Sequence, residues 1–165
     1  MRVRLLLPLY RRGLYVLSFS IITEKKMRLD FLNMPEKQMK EAMYALERCE
    51  SDHGLTFTTL EKDRAVAVLP VRKEHLNLYN MVYGGYIFNL MDVVAGVANI
   101  CGGNVGPTVS GNIEYISSTK DQRTLRCIGT VRKSGRTFSH IDVEVLGEND
   151  RLLSKGSFIY YNNKF

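Results

Sequence analysis

An aspartate sits in the middle of the most apolar stretch of this chain. Residues 84–100 read GGYIFNLMDVVAGVANI, and Asp92 is the one charged residue among them. A carboxylate inside a packed element costs several kcal/mol unless it is paired or has a task. Surroundings that perturb a carboxyl group are also what a general base requires. Composition alone leaves two readings of Asp92 open: a catalytic carboxylate, or a side chain that reaches solvent or a cation across a subunit interface.

Tyr83, Gly84 and Gly85 stand just before this stretch. Two glycines let a backbone approach a ligand closely, and the first turn of a helix offers unpaired N–H groups. Those groups suit an oxyanion that forms on a carbonyl, although a plain loop-to-helix turn would look the same. Asn77 lies six residues earlier, in a loop. Ser110 and Asn112 share one face of a strand, opposite Gly111 and Ile113. A basic hairpin follows at Arg132-Lys133-Ser134-Gly135-Arg136-Thr137, able to hold the phosphates of a nucleotide-bearing substrate or to serve as a solvated turn. His53, His75 and His140 share no metal-ligand spacing and read as structural or surface residues. No GxSxG, Walker or GxGxxG pattern occurs, so serine-hydrolase and nucleoside-triphosphate chemistry have no support.

The elements that must position these groups can be read from periodicity. Residues after Pro35 place Met39, Met43 and Leu46 at helical spacing. Residues 55–60 and 64–71 read as a hairpin. The run 84–100, rich in small residues and closed by Gly102-Gly103, reads as a long buried helix. Four strands follow at 108–117, 124–133, 137–146 and 152–161, with Ser134-Gly135 as a tight turn. Helix, two strands, one long helix and four strands fit an α+β arrangement, a curved antiparallel sheet wrapped around a central helix. A parallel sheet would need alternating helices for which the last 55 or so residues leave no room.

Length and composition agree with one domain over residues 35–165, preceded by a basic and apolar extension at 1–34. Apolar residues make up 45% of the chain and charged residues 24%, the balance of a globular protein. Residues 1–28 hold seven of the 23 basic residues and one of the 17 acidic ones, so the rest is balanced at 16 against 16. The excess of +6 therefore belongs to the extension, and no nucleic-acid partner is expected. Pro8 and Arg11-Arg12 interrupt the extension's apolar run, and residues 14–22 are too short to span a bilayer. No membrane contact is expected, and Met27 or Met34 is an alternative translation start. Three cysteines, Cys49, Cys101 and Cys127, without a CxxC spacing imply free thiols and a cytoplasmic setting.

Taken together, Asn77-x5-Tyr83-Gly84-Gly85-x6-Asp92, Ser110 and the hairpin Lys133-Ser134-Gly135-Arg136-Thr137 resemble the PaaI-like hotdog acyl-CoA thioesterases over roughly residues 55–161. The resemblance implies a hotdog fold and hydrolysis of an acyl-CoA or aryl-CoA to free acid and CoA. It implies that Asp92 activates water or attacks directly, that the Gly84 N–H polarises the carbonyl, and that Asn77 and Ser110 orient water or substrate. It also implies a site shared between two subunits of a homodimer or homotetramer. Asp92 and Ser110 would come from one chain, Asn77 and Gly84 from the other. Gly85 and the basic hairpin would bind the substrate. No metal or other cofactor is implied, since CoA enters with the substrate. The family's histidine is Tyr83 here, and a neutral phenol is a poor proton acceptor. Two other readings exist on the same fold. A non-catalytic acyl-CoA-binding regulatory module would carry a DNA-binding element, for which residues 1–34 are too short and irregular. A hydratase would pair a histidine with a carboxylate, and position 83 lacks it.

Overall fold

A computed structural model describes residues 36–162. The extension at 1–34, with its alternative start sites, lies outside the described residues. Helix α1 (Glu36–His53) leads into a six-stranded sheet and a second helix, α2 (Gly84–Cys101). The strands are β1 (Thr56–Glu61), β2 (Arg64–Pro70), β3 (Thr108–Tyr115), β4 (Thr124–Ser134), β5 (Phe138–Leu146) and β6 (Leu152–Tyr161). Their spatial order is β1-β2-β4-β5-β6-β3, and every pairing is antiparallel.

Alternation decides which face of each strand is covered. Along β5, Ser139, Ile141, Val143 and Val145 are buried while Phe138, His140, Asp142 and Glu144 are exposed. The inward set packs on α2 with Leu125 and Cys127 of β4 and Leu153 and Phe158 of β6. α2 has the length and apolarity of a membrane-crossing helix, but Leu90, Met91, Val94, Ala95 and Ala98 are buried within the domain. The helix can sit this low because β4 carries Gly129 beneath it. A Cβ there would lie 3.0 Å from the Val94 carbonyl oxygen and 3.1 Å from Ala98 Cβ. The expected curved sheet around a central helix is therefore the observed one.

Element ends differ slightly from those read off the sequence. β3 stops at Tyr115 because the N–H groups of Ile116 and Ser117 both turn to the Leu153 carbonyl. The turn between β4 and β5 spans residues 135–137, and Ser134 still pairs with Ser139. Bulges interrupt β3 between Thr108 and Ser110 and β4 between Val131 and Lys133. Each inserts one residue and re-aims its neighbours, and both lie beside candidate site residues. β1 and β3 are the sheet edges.

Candidate active site

The first cluster forms where the chain enters α2. Asn77 Oδ1 accepts the N–H of Tyr79 (2.9 Å) and Met81 (3.2 Å), closing a tight turn. Tyr83 follows as the helix N-cap and is 61% exposed. Its carbonyl accepts the N–H groups of Tyr86 and Ile87, whereas those of Gly84 and Gly85 have no acceptor among the described residues. They are the orphan donors of a first helical turn. Tyr115, at the end of β3, donates its hydroxyl to the Gly84 carbonyl at 2.7 Å, and burial raises its pKa. Asn77, Tyr83, Gly84, Gly85 and Tyr115 line an open groove of about 600 Å³.

The second cluster surrounds Asp92. The Asp92 side chain is half-buried, inside the domain on one side and open on the other. Oδ1 accepts the Thr108 hydroxyl at 2.8 Å and lies 2.8 Å from the Tyr160 hydroxyl. Oδ2 has no partner among the described residues. Tyr160 is 5% exposed, and burial first, then the Asp92 charge, drive its pKa well above the ordinary phenol range. It therefore remains a donor at any working pH. Thr108 and Tyr160 are cross-strand partners on β3 and β6, so sheet pairing itself assembles the pair beneath α2.

Ser110, expected to orient water or substrate, lies on the face of β3 turned away from Asp92. Gly111 points inward, where a Cβ would press on Phe158 and Phe88, so alternation turns Ser110 to the outer face, opposite Ile159. The bulge lets Thr108 make the contact with Asp92 instead. Sequence reading passed over Thr108 and Tyr160. A signal for Tyr160 was present: Phe158, Tyr160 and Asn162 alternate onto the covered face, and buried polar groups need partners.

The basic hairpin lies at the same end of the sheet as Asp92. Ser139, next to Phe138 at its root and paired with Tyr160, donates to Asn162 Oδ1 at 2.9 Å. Asn162 Nδ2 in turn donates to the Gly135 carbonyl at 2.7 Å, and its N–H to the Thr137 carbonyl. Ser134 Oγ accepts from Asn104 at 2.8 Å. The β4 bulge puts Arg132 beside Asp142, an ion pair of 2.7 Å. Lys133 and Arg136 are exposed, with no carboxylate partner among the described residues.

Within one chain these clusters do not merge. Gly84 and Asp92 are eight residues apart on one helix, about 12 Å along its axis. Asp92 does not line the groove beside Gly84. A hotdog domain that carries an anchored carboxylate in the middle of its helix and free N–H donors at the helix start has the parts of a hydrolase site. Comparison with known proteins gives the family. The thioesterase superfamily model matches residues 79–154. The smu.793 protein of Streptococcus mutans, solved bound to acetyl CoA, is 30% identical; the match covers 67% of this chain and 90% of that one, with a TM-score of 0.64. Human acyl-coenzyme A thioesterase 13 is 25% identical over 105 residues, 62% of this chain and 75% of that protein. The Escherichia coli PaaI protein shares the fold at a TM-score of 0.70, with 20% identity and coverage of 74% of this chain and 94% of that one. Residues 79–154 thus carry a thioesterase superfamily domain, and the chain has the hotdog fold of the PaaI protein.

Proposed function

We propose that the chain hydrolyses an acyl-CoA or aryl-CoA thioester to the free acid and CoA, in a homodimer or a homotetramer built from such dimers. The observation that carries this reading is the treatment of Asp92. One oxygen is held by two hydroxyls and the other is left open, in a half-buried setting at the foot of a basic hairpin. Kinship with the S. mutans protein, solved bound to acetyl CoA, supports the choice of substrate.

In this reading Asp92 Oδ2 takes a proton from water as the water oxygen attacks the thioester carbon. The Gly84 N–H of a second copy receives the oxygen that becomes negative. The C–S bond then breaks, and the thiolate leaves with a proton returned from Asp92. Thr108 takes the water-positioning place first expected of Ser110. Asn77 and Gly85 shape the wall beside Gly84, and Tyr83 hydrogen-bonds to substrate rather than accepting a proton. Lys133 and Arg136 face the CoA phosphates, on a loop shaped by Arg132, Ser134, Gly135 and Thr137. Two subunits are needed because the donors and the carboxylate stand about 12 Å apart along one helix. β3 presents a free backbone edge that a second β3 can pair with.

The test is thiol release from short, long and aromatic acyl-CoAs by the wild type and by Asp92→Asn. The substitution keeps the shape and removes the charge. A general base contributes about 10²–10⁴-fold, and a fall of that size in a folded variant is expected. Full activity in Asp92→Asn would remove Asp92 from the mechanism. Tight acyl-CoA binding by a wild type without turnover would instead make the domain a binding module.

A further inference from the structure

The two oxygens of Asp92 have unequal surroundings, and the phenol of Tyr160 is central to the difference. Its hydroxyl lies 2.6 Å from the Asp92 backbone carbonyl and 2.8 Å from Oδ1. A phenol has a single proton to give, so two acceptors compete for it. Thr108 supplies the second proton to Oδ1. Both hydroxyls approach from the sheet side, which leaves Oδ2 as the oxygen that can meet a substrate.

We propose that Tyr160 is a positioning residue for the hydrolytic reaction, holding Asp92 with Oδ2 outward in both of its protonation states. The proposal rests on Asp92 being the base of the reaction described above. While Asp92 is a carboxylate, the phenol proton points to Oδ1, the more negative acceptor. Once Oδ2 has taken the proton of water, Oδ1 becomes a weaker acceptor. The phenol proton then turns to the backbone carbonyl, and Thr108 keeps its bond to Oδ1. No buried group is left unpaired at either stage, so the carboxyl can gain and lose a proton without swinging away. A phenylalanine in place of Tyr160 would fill the volume and lose this property.

Room for the phenol comes from Gly96, one helical turn beyond Asp92. A Cβ at that position would lie 3.3 Å from the Tyr160 hydroxyl oxygen, closer than the group tolerates without moving. Gly96 sits inside a helix, where alanine is normally the better residue. The glycine is therefore explained by the phenol beside it.

The experiment measures kcat, KM and Tm for Tyr160→Phe, Gly96→Ala and Asp92→Asn, and for Tyr160→Phe combined with Asp92→Asn, on an acyl-CoA that the wild type hydrolyses. A misplaced catalytic group costs on the order of 10- to 100-fold. Tyr160→Phe is expected to lower kcat by about that factor while KM stays within about twofold, the pattern of an interaction lost in the transition state. In the Asp92→Asn background the same change is expected to leave the residual rate as it is, because residues that act as a unit are not additive. Gly96→Ala is expected to keep or raise Tm and still lower kcat, which separates positioning from folding should Tyr160→Phe prove unstable. Wild-type kcat in both Tyr160→Phe and Gly96→Ala would overturn the proposal. So would an equal fold-loss from Tyr160→Phe with and without Asp92. Wild-type kcat in Asp92→Asn alone would overturn the assignment of the base, a different failure with a different signature.

Discussion

Mild acid should loosen the loop that delivers Gly84, and the reason lies in His75. Its ring is buried, at 4% exposure, and stacks on Tyr86 with centroids 4.3 Å apart. Nδ1 accepts the Arg72 N–H at 3.0 Å, which requires that nitrogen to be unprotonated. The His75 carbonyl accepts the Tyr83 N–H at 2.8 Å, so the residue ties both ends of the 72–83 loop. Burial pushes the His75 pKa below the ordinary histidine value, with Arg72 adding to the effect and Glu74 opposing it. The folded value is thus the lower one, and the unfolded chain binds the proton first as pH falls. His75 therefore contributes its stability in full above an unfolded pKa of about 6.5, and that contribution is lost as pH falls toward the folded value. One proton limits the loss to about 1.4 kcal/mol per pH unit. Between pH 7.5 and 5.5 the loss therefore reaches at most about 1.4 kcal/mol, or roughly 3–6 °C in Tm for a domain of this size. His75→Asn offers an acceptor in place of Nδ1 and does not titrate. The assay is thermal unfolding of both proteins at the two pH values. His53 and His140 are present in both, so their contributions cancel in the comparison. An equal fall in Tm for wild type and His75→Asn would refute the argument.

Two further outcomes follow from packing and charge. Gly129→Ala should lower Tm by roughly 2–12 °C, since overpacking beneath α2 costs about 1–3 kcal/mol; an unchanged Tm would mean the helix is not held as low as described. Replacing Lys133 and Arg136 by glutamine should raise KM for an acyl-CoA by about 3- to 10-fold, the order of one charge-assisted contact at an exposed site. The same variant should show no change with the acyl-pantetheine fragment, which lacks the nucleotide. Equal changes on both substrates would place the CoA phosphates elsewhere.

The architecture could be read from the sequence because its signals are local and strong. β5 alternates at every position, and α2 is apolar over a length that no strand reaches. The turn at 135–137 and the entry at Tyr83-Gly84-Gly85 carry the residues that such turns demand. The Asp92 environment was only half legible. Asp92 announces itself by being the lone charge in an apolar helix, but its partners come from β3 and β6, sixteen and 68 residues away. Strict alternation from Gly111 assigns Ser110 and Thr108 to one face. The bulge at Val109 breaks that count, and a bulge has no dependable signature in a sequence without glycine at the inserted position. His75 was similarly opaque. A polar residue in a loop rich in charge gives no hint that it will be buried, because the burial comes from Tyr86 on the following helix.

The separation of Gly84 from Asp92 along α2 has a genetic consequence. If the site forms between two copies, each helix serves two sites, giving its beginning to one and its middle to the other. A chain disabled at Gly84 and a chain disabled at Asp92 would then be complementary alleles. In a mixed dimer both lesions fall in the same site, and the other site is intact. Random pairing of equal amounts would make about half the dimers mixed, so two inactive proteins should together regain about a quarter of wild-type activity.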